Sequence, residues 1–157
     1  MRILIAGVGN ILCGDDGFGP RVIEELSKRK LPSNVDLIDY GLSIFKILLD
    51  LKDYDLVIFV DTISRGGRAG EIYVIKPSLE YSSSKEDVLR ISLHEPDLEK
   101  LLVMAKILKV LPKEVIIVGC QPKRLSEGLE MSEEVKKAVK KAVEVVLEIL
   151  KEKMIVK

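Results

Sequence analysis

Three short runs along the chain are apolar at every position: residues 3–6 (ILIA), 56–60 (LVIFV) and 115–118 (VIIV). A strand with one wet face alternates apolar and polar residues, whereas an unbroken apolar run marks a strand covered on both faces, as in a parallel sheet between helices. Residues 35–38 (VDLI) and 71–75 (EIYVI) alternate more and predict strands nearer the sheet edges. Between these runs the apolar spacing changes to three and four. Residues 17–30 put Val22, Ile23 and Leu26 on one stripe, and 44–51 form a short apolar helix. Residues 96–111 align Leu98, Leu101, Leu102, Ala105 and Leu108, and 133–151 align Val135, Ala138, Val139, Ala142, Val143, Val146 and Leu150. Ser132, followed by two acids, is the predicted N-cap of that last helix. Strands and helices in alternation predict an α/β fold: a three-layer α/β/α arrangement with a mostly parallel, five-stranded twisted sheet flanked by helices. Residues 77–91 (PSLEYSSSKEDVLRI) are polar, Ser-rich and without period, which predicts a surface loop with scope to act as a mobile lid.

Composition narrows the class. The 157 residues contain no repeat or linker and are expected to form one domain over 1–157. Apolar residues make up 47% and aromatics only 4%, so the core is built from Val, Ile and Leu. Lys plus Arg and Asp plus Glu both total 25, and this zero net charge gives no bulk argument for a nucleic-acid partner. The two cysteines, Cys13 and Cys120, form neither a metal spacing nor a disulfide framework, which suits a reduced cytoplasmic setting. The opening MRILIAGVGN is broken by Gly too early for a secretory signal. No apolar run approaches the ~20 residues a bilayer span needs, so no membrane insertion is expected.

The first strand runs into GVGNILCGDDGFGP, residues 7–20. Gly-x-Gly after a first strand suggests a phosphate cradle, yet a dinucleotide fingerprint needs a small residue where this chain has Leu12. Asp15 and Asp16 would also repel a pyrophosphate at the position where helix amides should attract it. A helix start accounts for one acid, and Asp15 is expected to serve there as N-cap or first-turn residue. Asp16 is then left to point over the end of the sheet, where a cation would relieve the repulsion between neighbouring negative charges.

Asp61 ends the apolar run 56–60, and a charge at the carboxyl end of a central strand is costly unless it is used or caps the turn that follows. With strand order 2-1-3, Asp16 and Asp61 would face one crevice between the first and third strands. His94, the sole histidine, lies in SLHEPD beside a helix entry. Ser92 and Glu95 have capping-box spacing, whereas Pro96 marks a first helical position, and the two signals place the start differently. In both cases the helix dipole disfavours imidazolium and leaves the neutral ring that binds metal. Two carboxylates and one imidazole, with open positions, form the donor set of a catalytic divalent site.

On these residues the chain resembles the hydrogenase maturation endopeptidases, which trim a C-terminal extension from the nickel-loaded large subunit of nickel–iron hydrogenases. The likeness rests on Gly7-Val8-Gly9-Asn10-Ile11-Leu12, Asp15-Asp16 and Gly19, then Asp61 with Gly70 beyond it, Ser92-Leu93-His94, and Pro122, Gly128 and Ser132 before the final helix. The resemblance implies that Asp16, Asp61 and His94 are the metal-contacting and catalytic residues. The family often has Glu at the position of Asp16. It commonly shows Asp-Gly-Gly-Thr after the second strand, where this chain has Asp39-Tyr40-Gly41-Leu42, and Asp39 and Gly41 are carried over as substrate contacts. The implied partner is the precursor of a hydrogenase large subunit. The implied metal is a divalent ion, nickel supplied by that substrate, with cadmium or zinc able to occupy the site in vitro. Two other readings use the same loop: a non-catalytic metal-sensing binding module or chaperone acting on the precursor, and a cysteine hydrolase with Cys13 as nucleophile and His94 as base. Against the latter, the neighbouring carboxylates raise a thiol's pKa.

Overall fold

A computed structural model of the chain describes residues 1–77, 98–125, 128 and 130–155. Its five strands are β1 (Ile3–Val8), β2 (Val35–Gly41), β3 (Leu56–Thr62), β4 (Ile72–Ile75) and β5 (Glu114–Cys120). The four α-helices among the described residues are α1 (Phe18–Ser27), α2 (Ile44–Asp50), α3 (Leu98–Ile107) and α4 (Glu133–Ile155). Short 3-10 turns at Gly14–Gly17 and Leu51–Asp53 precede α1 and follow α2.

The strands lie in the order β2-β1-β3-β5-β4. All neighbouring pairs are parallel except β4 with β5. The three unbroken apolar runs are the three central strands, and the two alternating runs are the edges. Each central strand divides its residues between two cores. Ile3 and Ile5, Leu56, Ile58 and Val60, with Ile116, Val118 and Cys120, pack under α1 and α4. Leu4, Ala6 and Val8, Val57 and Phe59, with Val115 and Ile117, pack under α2 and α3. The period of two along a strand therefore feeds two layers at once, which is why both faces had to be apolar.

The chain leaves β1 for β2 on one side and reaches β3 on the other, so the sheet reverses its winding direction between β1 and β3. A crevice opens beyond the carboxyl ends of strands at such a point. The first turn of α1 crosses this gap closely: a Cβ on Gly19 would run into the carbonyl oxygens of both Val8 and Val60. His94 and most of the Ser-rich stretch, from residue 78 on, lie outside the described residues.

Candidate active site

The site is built around Asp16, on the 3-10 turn between β1 and α1. Its carboxylate is half-buried and held from two sides. Oδ2 accepts the backbone N–H of Asn10 at 2.8 Å, and Oδ1 accepts the hydroxyl of Thr62 at 3.3 Å. Gly9 makes this possible, because its φ is +136° and a Cβ there would strike the carbonyl oxygen of Asp16. The Gly-x-Gly pattern thus folds the backbone tightly onto an acid.

Asp61 is the penultimate residue of β3, and its Oδ1 accepts the N–H of Thr62 at 2.7 Å. Thr62 therefore contacts both carboxylates, one through its backbone and one through its hydroxyl. Asp16 and Asp61 consequently stand on the same edge of the sheet, over the β1–β3 gap. Among the described residues no group of three His, Cys, Asp or Glu side chains is arranged to hold a metal ion. Asp16 and Asp61 are the members of the expected donor set that the described residues contain, and Thr62 joins them.

Asp15 departs from expectation. It makes no capping bond to its own helix. Its carboxylate is fully buried and reaches across to the loop after β5. Oδ2 accepts the N–H groups of Lys123 at 2.7 Å and Arg124 at 2.9 Å and the hydroxyl of Ser132 at 3.0 Å, while Oδ1 accepts the N–H of Ser132 at 2.7 Å. Burial alone would raise its pKa; the bonds from Arg124, Ser132 and Lys123 outweigh that and hold it below the ordinary carboxylate value. Ser132 also caps α4 as expected, since its Oγ accepts the N–H of Val135 at 3.4 Å. The acid serves a helix start, but that of α4 rather than α1.

Asp39 and Gly41 lie at the end of β2 beside the same loop. Gly41, at φ +57°, donates its N–H to Asp39 Oδ1 at 2.9 Å, and its carbonyl accepts the N–H of Gly9 at 2.9 Å. A groove of about 880 Å³ adjoins them, with Asp39, Ile11, Leu12, Ile23 and Met131 among its lining residues. Cys120 is a poor nucleophile candidate. It is buried at the end of β5, where burial, and then the charge of Asp15, push its thiol up to about 12. Cys13 is half-buried at the foot of the carboxylate turn.

Several known proteins similar to this chain are named for hydrogenase maturation or for hydrogenase expression and formation. A family model described as hydrogenase maturation protease matches residues 20–149, a span that contains Asp61 and His94 and begins just after Asp16. The chain belongs to the hydrogenase maturation protease family. The hydrogenase 2 maturation peptidase from Thaumarchaeota archaeon SCGC_AB-539-E09 is 43% identical, with a TM-score of 0.73 over 96% of this chain and 98% of that one. The hydrogenase maturating endopeptidase HybD from E. coli is 27% identical, with a TM-score of 0.78 over 98% and 94%. The hydrogenase expression/formation protein HupD of Bradyrhizobium diazoefficiens is 32% identical over 129 residues, or 80% of this chain. The chain spans only 65% of that relative's length and 60% of the next, HupM of Azotobacter chroococcum.

Two residues outside the expected set organise this edge of the sheet, Thr62 and Gln121. Thr62 follows Asp61 directly, and a polar side chain immediately past a buried strand was the available clue. Gln121, one residue past β5, gathers the β3–β4 loop around its side chain.

Proposed function

We propose that this protein is a hydrolase that removes the C-terminal extension of the nickel-loaded large-subunit precursor of a nickel–iron hydrogenase. In this reading Asp16, Asp61 and His94 complete the coordination of the nickel that the substrate brings. The observation that carries it is the sharing of Thr62 by Asp16 and Asp61 at the carboxyl edge of the sheet, beside the point between β1 and β3 where the winding reverses.

The chemistry suits that donor set. Two carboxylates and a neutral imidazole bind a divalent ion through oxygen and nitrogen while leaving positions for the substrate's own ligands. The ion can polarise the scissile carbonyl or lower the pKa of the attacking water. Water adds across the amide, hydroxyl to the carbonyl carbon and proton to the departing nitrogen. Because the metal is part of the substrate, an empty precursor offers the acids nothing to bind, and cleavage waits for insertion. Asp39 and Gly41, bonded to each other beside the groove, are the substrate contacts in this reading, and the reaction belongs to the cytoplasm.

The test is incubation of the purified protein with nickel-loaded precursor, followed by the mass of the large subunit. The wild type should shorten it, and the nickel-free precursor should stay intact. Asp16→Ala, Asp61→Ala and His94→Ala should each slow processing by roughly a hundredfold or more, beyond the range of residues that only orient ligands. If two of the three variants process normally, the site assignment is wrong. Tight binding of loaded precursor by folded wild type without any shortening would instead identify a metal-sensing binding module.

A further inference from the structure

Gln121 follows the last residue of β5 and is only 9% exposed. Its side-chain oxygen accepts three donors from the β3–β4 connection: the N–H of Arg65 at 2.8 Å, the hydroxyl of Tyr73 at 3.0 Å and the N–H of Gly67 at 3.3 Å. Its backbone holds the far end of the same connection, donating to Glu71 O at 2.9 Å and accepting from Gly70 N at 2.8 Å. An amide oxygen has two lone pairs, so three donors exhaust it. The loop is drawn tight around this residue. Gly66 and Gly70 have φ of +76° and +87°, and a Cβ on Gly67 would strike the Tyr73 hydroxyl and the Glu71 carboxylate.

This loop begins two residues past Asp61, at the edge of the sheet that carries the site, and it displays Arg65. The guanidinium is exposed and lies over the ring of Tyr73, 5.7 Å from its centroid. Among the described residues it forms no ion pair. The nearby acid Glu71 accepts the N–H of Arg68 at 3.2 Å. A guanidinium fork matches a carboxylate in two parallel bonds, and anchoring its backbone and holding it over a ring reduce the entropy lost on pairing.

We propose that Gln121 is a positioning residue and Arg65 a substrate contact: Gln121 fixes the β3–β4 loop so that Arg65 pairs with a carboxylate of the hydrogenase precursor. The proposal rests on the processing reading above and is tested so that the two can fail separately. In steady-state processing, Gln121→Leu and Arg65→Ala should each raise KM for the precursor about tenfold and leave kcat within about twofold, the mark of lost uniform binding. The double variant should be no worse than Arg65→Ala alone, because both changes remove one interaction. Gln121→Glu keeps the acceptor and should restore KM. A loss confined to kcat, effects that multiply in the double variant, or a Gln121→Glu as poor as Gln121→Leu would each overturn the proposal. Precursors whose acidic side chains in the extension are turned to amides, and precursors with the extension shortened, identify a side-chain or a terminal carboxylate. Persistence of the full Arg65→Ala effect in both sets would refute the carboxylate. Without any substrate, amide exchange at Arg65 and Gly67 should quicken at least about tenfold in Gln121→Leu while Phe59, inside β3, stays protected. Unchanged exchange at both would sink the positioning role even if the wild type cleaves nothing.

Discussion

At the scale of single residues, the site depends on how an acid is held, as well as on which acid it is. Asp16 receives one backbone donor and one hydroxyl, at 2.8 and 3.3 Å, so its orientation is shared between the β1–α1 loop and the end of β3. The longer of these bonds is the weaker and the more informative to remove. Thr62→Val keeps the β-branched shape that suits the last residue of a strand and deletes only the hydroxyl. At a half-buried position a hydroxyl bond to a carboxylate contributes about 1.5 kcal/mol, so unfolding by denaturant should shift by no more than about that. Processing should fall about tenfold, because the carboxylate keeps its charge and loses one of its two restraints. Thr62→Ser should recover most of the rate. If Thr62→Val processes at the wild-type rate, the hydroxyl does not orient Asp16.

Among the elements, the close approach of α1 to the sheet sets where the acids stand. Gly19 lies in the first turn of this helix, against the carbonyls of Val8 in β1 and Val60 in β3. Gly to Ala inside a helix ordinarily stabilises by up to about 1 kcal/mol. Here the added methyl meets two backbone oxygens that cannot rotate away, and overpacking of that kind costs about 1–3 kcal/mol. Gly19→Ala should therefore reverse the usual sign, lowering the denaturation midpoint. It should also lower processing more than stability accounts for, since lifting α1 carries Asp16 with it. Much of this level was legible beforehand. The three unbroken apolar runs gave the central strands, and the 2-1-3 order put Asp16 and Asp61 on one edge. Period and spacing, however, report only neighbours along the chain. The partners of Asp15 lie 108 to 117 positions away, and Gln121 reaches back 48 to 56. A helix-start acid and a strand-end amide look alike in sequence whether they serve their own element or another. The antiparallel setting of β4 was invisible for the same reason, since an edge strand alternates in either direction.

Across the whole molecule, the opening turn is tied to the far end of the chain by one buried carboxylate. Asp15 donates its own N–H to Arg124 O at 2.9 Å and accepts four bonds from Lys123, Arg124 and Ser132, so the turn that bears Asp16 is locked to the loop that starts α4. The link carries a charge, which makes it sensitive to acid. Asp15 ionises more readily in the folded chain than at the ordinary value of 3.8, so the unfolded chain binds the proton first as pH falls. The stability this group contributes is then complete above that value and disappears as pH drops through the lower folded pKa. Asp15→Asn tests the sign directly. At neutral pH its amide turns an N–H2 toward some of the same donors, and leaving buried donors unpaired costs about 1–3 kcal/mol each. The variant should therefore be several kcal/mol less stable than wild type, on the order of 2–4. On titrating both proteins into the range below 3.8, the difference in unfolding free energy should shrink, because the wild-type carboxyl takes up a proton and loses the same acceptor sites. A difference that stays constant through that range would mean that Asp15 contributes by shape and not by charge.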